Sequence, residues 1–209
     1  MKQENDTKAK LLKAAKEVFM EKGYQNASLR HICRQAGVTT GALYFFFQDK
    51  EDVFTAIVKE PIEGLYHIML AHIQEEKSLG EEIMSSGETE EALHLALSMH
   101  LVEYLYQYRD EFLLLLTKAA GSRYENAYED LVDVLESAYS EIAAEMAAKY
   151  GHPTIDKASL HTLFHLMAEI FILPLTHGMP IEEAKKQVVT VGGLIMQGWY
   201  AFWEAEDIH

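Results

Sequence analysis

A single cysteine, Cys33, stands among 209 residues, so no disulfide can form within the chain. Stability must then come from a packed core, and a reducing compartment is the natural setting. Prolines number only four, and no stretch alternates apolar with polar residues over the length of a strand. No apolar run reaches the roughly 20 residues of a membrane span. The nearest approach, Leu163 to Pro180, is interrupted by His165, Glu169, Pro174 and His177, and reads as a buried helix. The opening residues, MKQENDTKAK, lack the apolar stretch of a secretory signal, so a cytoplasmic location with no membrane association is expected. There is no HExxH, phosphate-binding glycine loop, nucleophile elbow or paired-cysteine metal motif. An enzyme is therefore not the expectation, and no cofactor is assigned.

What is present is a large apolar fraction, 49%, and a formal net charge of −15 that is unevenly spread. Residues 1–59 hold ten Lys and Arg against seven Asp and Glu, whereas residues 60–209 hold eight against twenty-six. Acidity on its own argues against nucleic acid. A locally basic N-terminus on an acidic body reverses that argument for the N-terminus alone.

The apolar spacing is helical almost throughout, which predicts an all-α chain. Leu11, Ala15, Val18 and Phe19 make one face of a first helix that Gly23 can end. Ser28 can cap a second helix, with Leu29, Ile32, Cys33 and Ala36 on its inner face. Gly37 and Val38 form a break, Thr39 can cap a short third helix, and Asp49 can cap a fourth that begins at Lys50. Pro61 should kink or split that fourth helix near Glu60. Residues 77–90, with Ser78, Gly80, Ser85, Ser86 and Gly87, read as the loosest connection. Helical patterns resume at about 90–120, 122–150, 155–177 and 181–206, separated by Gly121-Ser122, Gly151-His152-Pro153 and Gly178-Met179-Pro180.

Two short helices joined through Gly37 suit a helix-turn-helix, whose second helix enters the DNA major groove. At about 100° per residue, Leu43, Phe46 and Phe47 share the inner side of residues 40–47, and Gly41 and Phe45 lie opposite. An outward phenylalanine beside two small residues, Gly41 and Ala42, suits a groove, where apolar atoms can touch sugars or a thymine methyl. The hydroxyls of Thr39, Thr40 and Tyr44 can bond phosphates, Arg30 can reach a phosphate or a guanine edge, and Lys50 can pair with a phosphate. Lys8, Lys10, Lys13 and Lys16 add positive charge on the first helix.

The run from Ala36 to Tyr44, AGVTTGALY, followed by Phe47, Asp49-Lys50-Glu51-Asp52 and Phe54, resembles the signature of tetracycline-repressor (TetR) type regulators. Ala14-Ala15, Phe19, Gly23-Tyr24, Ser28-Leu29 and Ile32 fit the same pattern, so the likeness covers about residues 8–55. The resemblance implies a three-helix DNA-binding module, residues 1–48, followed by an effector-binding and dimerisation body, residues 49–209, with about nine helices in all. It implies a repressor that binds a palindromic double-stranded DNA operator as a homodimer and is released by a small ligand. Its DNA contacts carry over to Ser28, Arg30, Thr39, Thr40, Gly41, Ala42, Tyr44 and Lys50; the outward Phe45 is added from the wheel. One departure stands out: where the family often has histidine or another polar aromatic, positions 45 and 46 are both Phe.

In the body, the last two helices carry Leu166, Ile170, Leu173, Val191, Ile195, Trp199 and Phe202, the expected dimer interface. Gly192, Gly193 and Gly198 would permit another helix to approach closely. Tyr66, Met69, His72, His100, Tyr104, Tyr108, Phe112 and Tyr128 are the candidates for a ligand pocket, alongside their alternative as plain core. Few cations lie near them, which points to an apolar or cationic effector. Tyr104, Tyr108 and Phe112 would follow one line of a continuous helix. His161, His165 and Glu169 share a helix face with metal-compatible spacing, yet no metal is assigned to them. The alternatives to a ligand-released repressor are a ligand-insensitive regulator and a metal-dependent helical enzyme.

Overall fold

In the computed structural model, which describes residues 2–83 and 87–205, the apolar periodicity resolves into nine helices and no strand among those residues. In chain order they are α1 Lys2–Asn26, α2 Leu29–Ala36, α3 Thr40–Phe46, α4 Lys50–Ile83, α5 Gly87–Gln107, α6 Arg109–Thr117, α7 Ala127–Tyr150, α8 Lys157–Thr176 and α9 Ile181–Glu204. Two compact units result: residues 1–65 with 108–128, and residues 66–107 with 129–209. The first unit thus draws in more chain than residues 1–48, since the start of α4, all of α6 and the turn after it pack there.

The core of the first unit is the apolar face expected of α1. Leu11, Ala15, Val18 and Phe19 are completely buried, as are Ile32, Leu43, Val53 and Phe54. Phe19 and Tyr24 both meet Phe54, at ring separations of 5.1 and 5.2 Å with planes near perpendicular, which matches the edge-to-face preference of aromatic pairs. Gly23 takes φ 73°, a left-handed value that a side chain would strain. The chain thereby leaves the helical path, and the Tyr24 amide donates to the Lys118 carbonyl at 2.8 Å. Tyr24 also donates its hydroxyl to Glu51 at 2.7 Å, and the other Glu51 oxygen accepts from the Arg123 amide at 3.3 Å. Burial first, and then the Glu51 carboxylate, push the Tyr24 phenol far above the usual tyrosine range.

In the second unit Val102, Ala184 and Val188 are buried together, with Tyr106, Ile170, Phe171, Met179 and Ile181 packed around them, so α5, α8 and α9 share one core. The Tyr106 hydroxyl donates to the Met179 carbonyl at 2.7 Å, and Lys185 reaches Glu103 at 2.7 Å. Trp203, 1% exposed, anchors the end of α9, and Trp199 and Phe202 pack edge-on against it.

Four sequence expectations need correction. Pro61 does not split its helix: α4 runs through it, because Pro61 is buried in line with Val58 and Leu65, and that packing outweighs one missing amide donor. The loose connection expected at 77–90 is helical at 77–83 and 87–90, while residues 84–86 lie outside the described residues. The helix expected over 90–120 is two helices, because Tyr108 adopts φ −109°, ψ 34° between α5 and α6. The line of Tyr104, Tyr108 and Phe112 is broken there. Lastly, α8 is less buried than expected: it is apolar and long enough to cross a membrane by length and composition alone, yet only 28% of its most apolar window is covered within the chain.

Candidate nucleic-acid interface

The geometry around α3 begins with its caps. Ser28 accepts from the His31 amide at the start of α2, and Gly37, at φ 68°, closes that helix in a left-handed turn. A side chain at Gly37 would meet no neighbour within 4 Å, so its constraint is the backbone angle and not space. Thr39 then caps α3 by accepting from the Ala42 amide at 3.2 Å. Asp49 caps α4 through the Asp52 amide at 2.8 Å, while the Asp52 carboxylate returns to the Gln48 amide at 3.0 Å. These two reciprocal bonds hold the far end of the α3 turn.

Within α3 the aromatic run divides as the helical wheel requires, whereas Phe47 lies just past the helix in extended backbone (φ −136°, ψ 137°) and turns inward from there. Leu43 and Phe47 are buried, Phe46 is half-buried, and Phe45 is 72% exposed with Tyr44 at 59%. Phe45 stands edge-on to Phe46 at 4.9 Å. It lines an open groove with Glu4, Thr7, Ala42 and Phe46. Ser28, Arg30, Thr39, Thr40 and Gly41 are all exposed, and Ala42 is partly so. The turn into α3 and its outer face therefore present hydroxyls, one phenol and one phenyl ring over small residues.

Lys50 has a different setting from the one its sequence position suggests. Its ammonium lies 2.7 Å from the Tyr24 carbonyl, 3.2 Å from that of Gln25 and 3.3 Å from that of Ala27. It also sits 4.3 Å above the Tyr24 ring. An ammonium has three donors, and all three are accounted for. The site is a cap on the carbonyl end of α1, where cations are favoured, and burial pulls the Lys50 pKa below its ordinary value.

The cations of α1 are also partly engaged. Lys16 meets Glu111 at 3.0 Å and Asp110 at 3.3 Å, and Lys10 meets Asp6 at 2.6 Å. One basic feature was missed in the sequence. Arg34 and Lys22 converge on His31 Nδ1, at 2.9 and 3.4 Å, which gathers two cations at the exposed side of α2. Half of the signal was available, since His31 and Arg34 are three apart on one helix face; Lys22 comes from α1 and only packing brings it there.

The other candidate residues are distributed as follows. Among the ligand candidates, Tyr108, Phe112 and Tyr128 belong to the first unit, and Tyr66, Met69, His72, His100 and Tyr104 to the second. Phe112, Met69 and His72 are buried, Tyr66, Tyr104, Tyr108 and Tyr128 are partly buried, and His100 is exposed. Burial, followed by the charge of Asp130, raises the Tyr66 pKa. The His72 and His94 rings lie 5.4 Å apart. Among the dimer candidates, Leu166, Leu173 and Val191 are exposed, whereas Ile170, Ile195, Trp199 and Phe202 are partly covered within the chain. Leu194, 66% exposed, and Val189 extend the uncovered face and were not singled out beforehand. Gly192 lies under Ile170, where an added Cβ would come to 3.4 Å; Gly193 and Gly198 face open space.

Residues 11–57 match the family described as bacterial regulatory proteins, tetR family. The HTH-type transcriptional regulator UidR of Escherichia coli (strain K12) is 34% identical over 73 residues, 30% of this chain and 37% of that protein. The HTH-type transcriptional repressor BepR of Brucella suis biovar 1 (strain 1330) is 45% identical over 53 residues, 25% of each chain. The similarity spans well under half the length of these curated relatives. Fold similarity reaches further: a transcriptional regulator of Aquifex aeolicus VF5, described as TerR/AcrR family, superposes with a TM-score of 0.58 at 22% identity, over 90% of this chain and 99% of that one. The N-terminal module of this chain is thus similar in sequence to the tetR family of bacterial regulatory proteins, and the chain as a whole shares the all-helical fold of the Aquifex regulator.

Proposed function

We propose that the chain is a DNA-binding transcriptional repressor, active in the cytoplasm as a homodimer on a palindromic operator and released by a small apolar or cationic ligand. The observation that carries this reading is the split of α3: Leu43 is buried and Phe46 half-buried on one side, while Tyr44 and Phe45 stand exposed on the other beside Gly41 and Ala42. A solvated surface gains nothing from an exposed phenylalanine, whereas a groove does. Thr39, Thr40, Tyr44, Ser28 and Arg30 supply the phosphate and base contacts around it. Lys50 supports them from behind by holding the end of α1 in place.

Dimerisation through α8 and α9 would supply two copies of α3 for the two halves of a palindrome, which lie one turn of DNA, or a multiple, apart. Leu166, Leu173, Val189, Val191 and Leu194 are the apolar surface such a partner would cover, and Gly193 and Gly198 leave room for close approach. The effector site belongs to the helical body, with Tyr66, Met69, His72 and Tyr104 as its best-placed candidates. Release follows if the ligand binds more tightly to a conformation whose two reading helices are wrongly spaced.

Selection of bound fragments from the source genome tests the reading. The expected result is a short palindrome retarded by the dimer at low ionic strength, with affinity falling steeply as salt rises. Binding that ignores sequence, or no binding to any duplex, overturns it.

A further inference from the structure

His161 and His165 sit one turn apart on α8, and the pairing of their rings goes beyond spacing. Their Nε2 atoms lie 3.0 Å from each other, and the ring centroids 4.5 Å. His161 Nδ1 lies 2.9 Å from Glu136 Oε2 on α7. An ionised carboxylate only accepts, so Nδ1 carries the proton and the Nε2 lone pair of His161 is directed at His165. The third group is Glu129, whose Oε2 stands 3.5 Å from His165 Nε2. Glu129 comes from α7 at the side of the pair; Glu169, the carboxylate suggested by sequence spacing, does not join the cluster.

We propose that Glu129, His161 and His165 form a binding site for a zinc-class divalent cation. Their ligand atoms lie within 4.8 Å of one another. A tetrahedral zinc with bonds of about 2.0–2.1 Å to nitrogen would hold two such nitrogens about 3.3 Å apart, close to the separation already present. The donor set, two imidazoles and one carboxylate, suits zinc, cobalt, nickel or copper and not calcium or magnesium. Glu136 orients His161 from behind in the carboxylate–histidine–metal arrangement, and is held in turn by Lys157 at 3.4 Å. Asp133 and Glu136 also lie near His161, but Glu136 is turned to Nδ1, and only the Glu129 side offers two imidazole Nε2 atoms. In the absence of a cation, His165 Nε2–H bridges the His161 lone pair and Glu129. A cation replaces that proton, which is lost from Nε2 to His165 Nδ1 or to solvent. With three protein ligands a fourth position stays open to water or to a donor atom of another molecule.

The test uses the full-length chain, stripped with chelator and titrated with Zn2+ by equilibrium dialysis and with Co2+ by visible absorption. The expected result is one equivalent per chain, with an intense tetrahedral cobalt spectrum. His165→Ala and Glu129→Gln should each weaken binding by about 100-fold, and Glu136→Gln by about tenfold. Glu169→Gln should leave it unchanged. Glu129 is largely exposed, so its variant keeps the fold even if a histidine variant does not, and circular dichroism checks both. The chain has ten histidines, and zinc that binds equally well to His165→Ala and Glu129→Gln is adventitious and overturns the proposal. A native chain that holds no zinc through dialysis overturns it as well.

Discussion

Phe45 and Lys50 show how a side chain's environment assigns its work. Phe45 is exposed and touches Phe46 at its edge, so its removal takes little from the folded state. Phe45→Ala should cost less than about 1 kcal/mol of stability and weaken operator binding about tenfold, or about 1.4 kcal/mol. Thermal melting with a gel-shift titration checks both, and a collapse of the melting temperature would place Phe45 in the core. Lys50→Ala should do the reverse. Its ammonium satisfies three backbone carbonyls, and losing such charge-assisted bonds costs about 1.5–3 kcal/mol, near the low end because the residue is partly exposed. The slope of log affinity against log salt should not change. A slope reduced by about 0.9, with stability intact, would return Lys50 to the phosphate contacts.

Helix α3 is seven residues long, too short to persist in water by itself, so its ends matter. The hydroxyl of Thr39 satisfies an amide of the first turn, and Thr39→Ala should destabilise the first unit by about 1 kcal/mol, while Thr39→Ser should not. Hydrogen exchange at the α3 amides reports the change locally; equal protection in native and Ala forms would show that packing of Leu43 and Phe47 suffices without the cap. The same logic explains α4. Its Pro61 is tolerated inside a long helix because neighbouring turns are pinned by buried Val58 and Leu65.

At the scale of the whole molecule, the proposed dimer depends on the exposed apolar face of α8 and α9. If that proposal holds, a charged residue in the middle of the face separates the two copies without unfolding either. Leu194→Glu is expected to sediment as a monomer with native helicity and to lose operator binding, since one copy spans only one half-site. If the variant remains dimeric, this face is not the interface, and the exposed leucines require another explanation.

The helical periodicity and the residues from Ala36 to Phe54 carried the all-helical class and the three short N-terminal helices on their own, because local spacing and capping dictate both. The wheel even separated Phe45 from Leu43, since a short helix has only one buried face; Phe47 is buried for another reason, the extended backbone that ends α3. Contacts between residues distant in the chain were not legible in the same way. That Lys50 would close the end of α1 depends on where α4 starts in space, and that Glu129 would meet His161 and His165 depends on how α7 lies along α8. Spacing suggested Glu169 for that role because one helix face is all that a linear pattern can report. Packing, which brings separate helices within a few ångströms, chose otherwise.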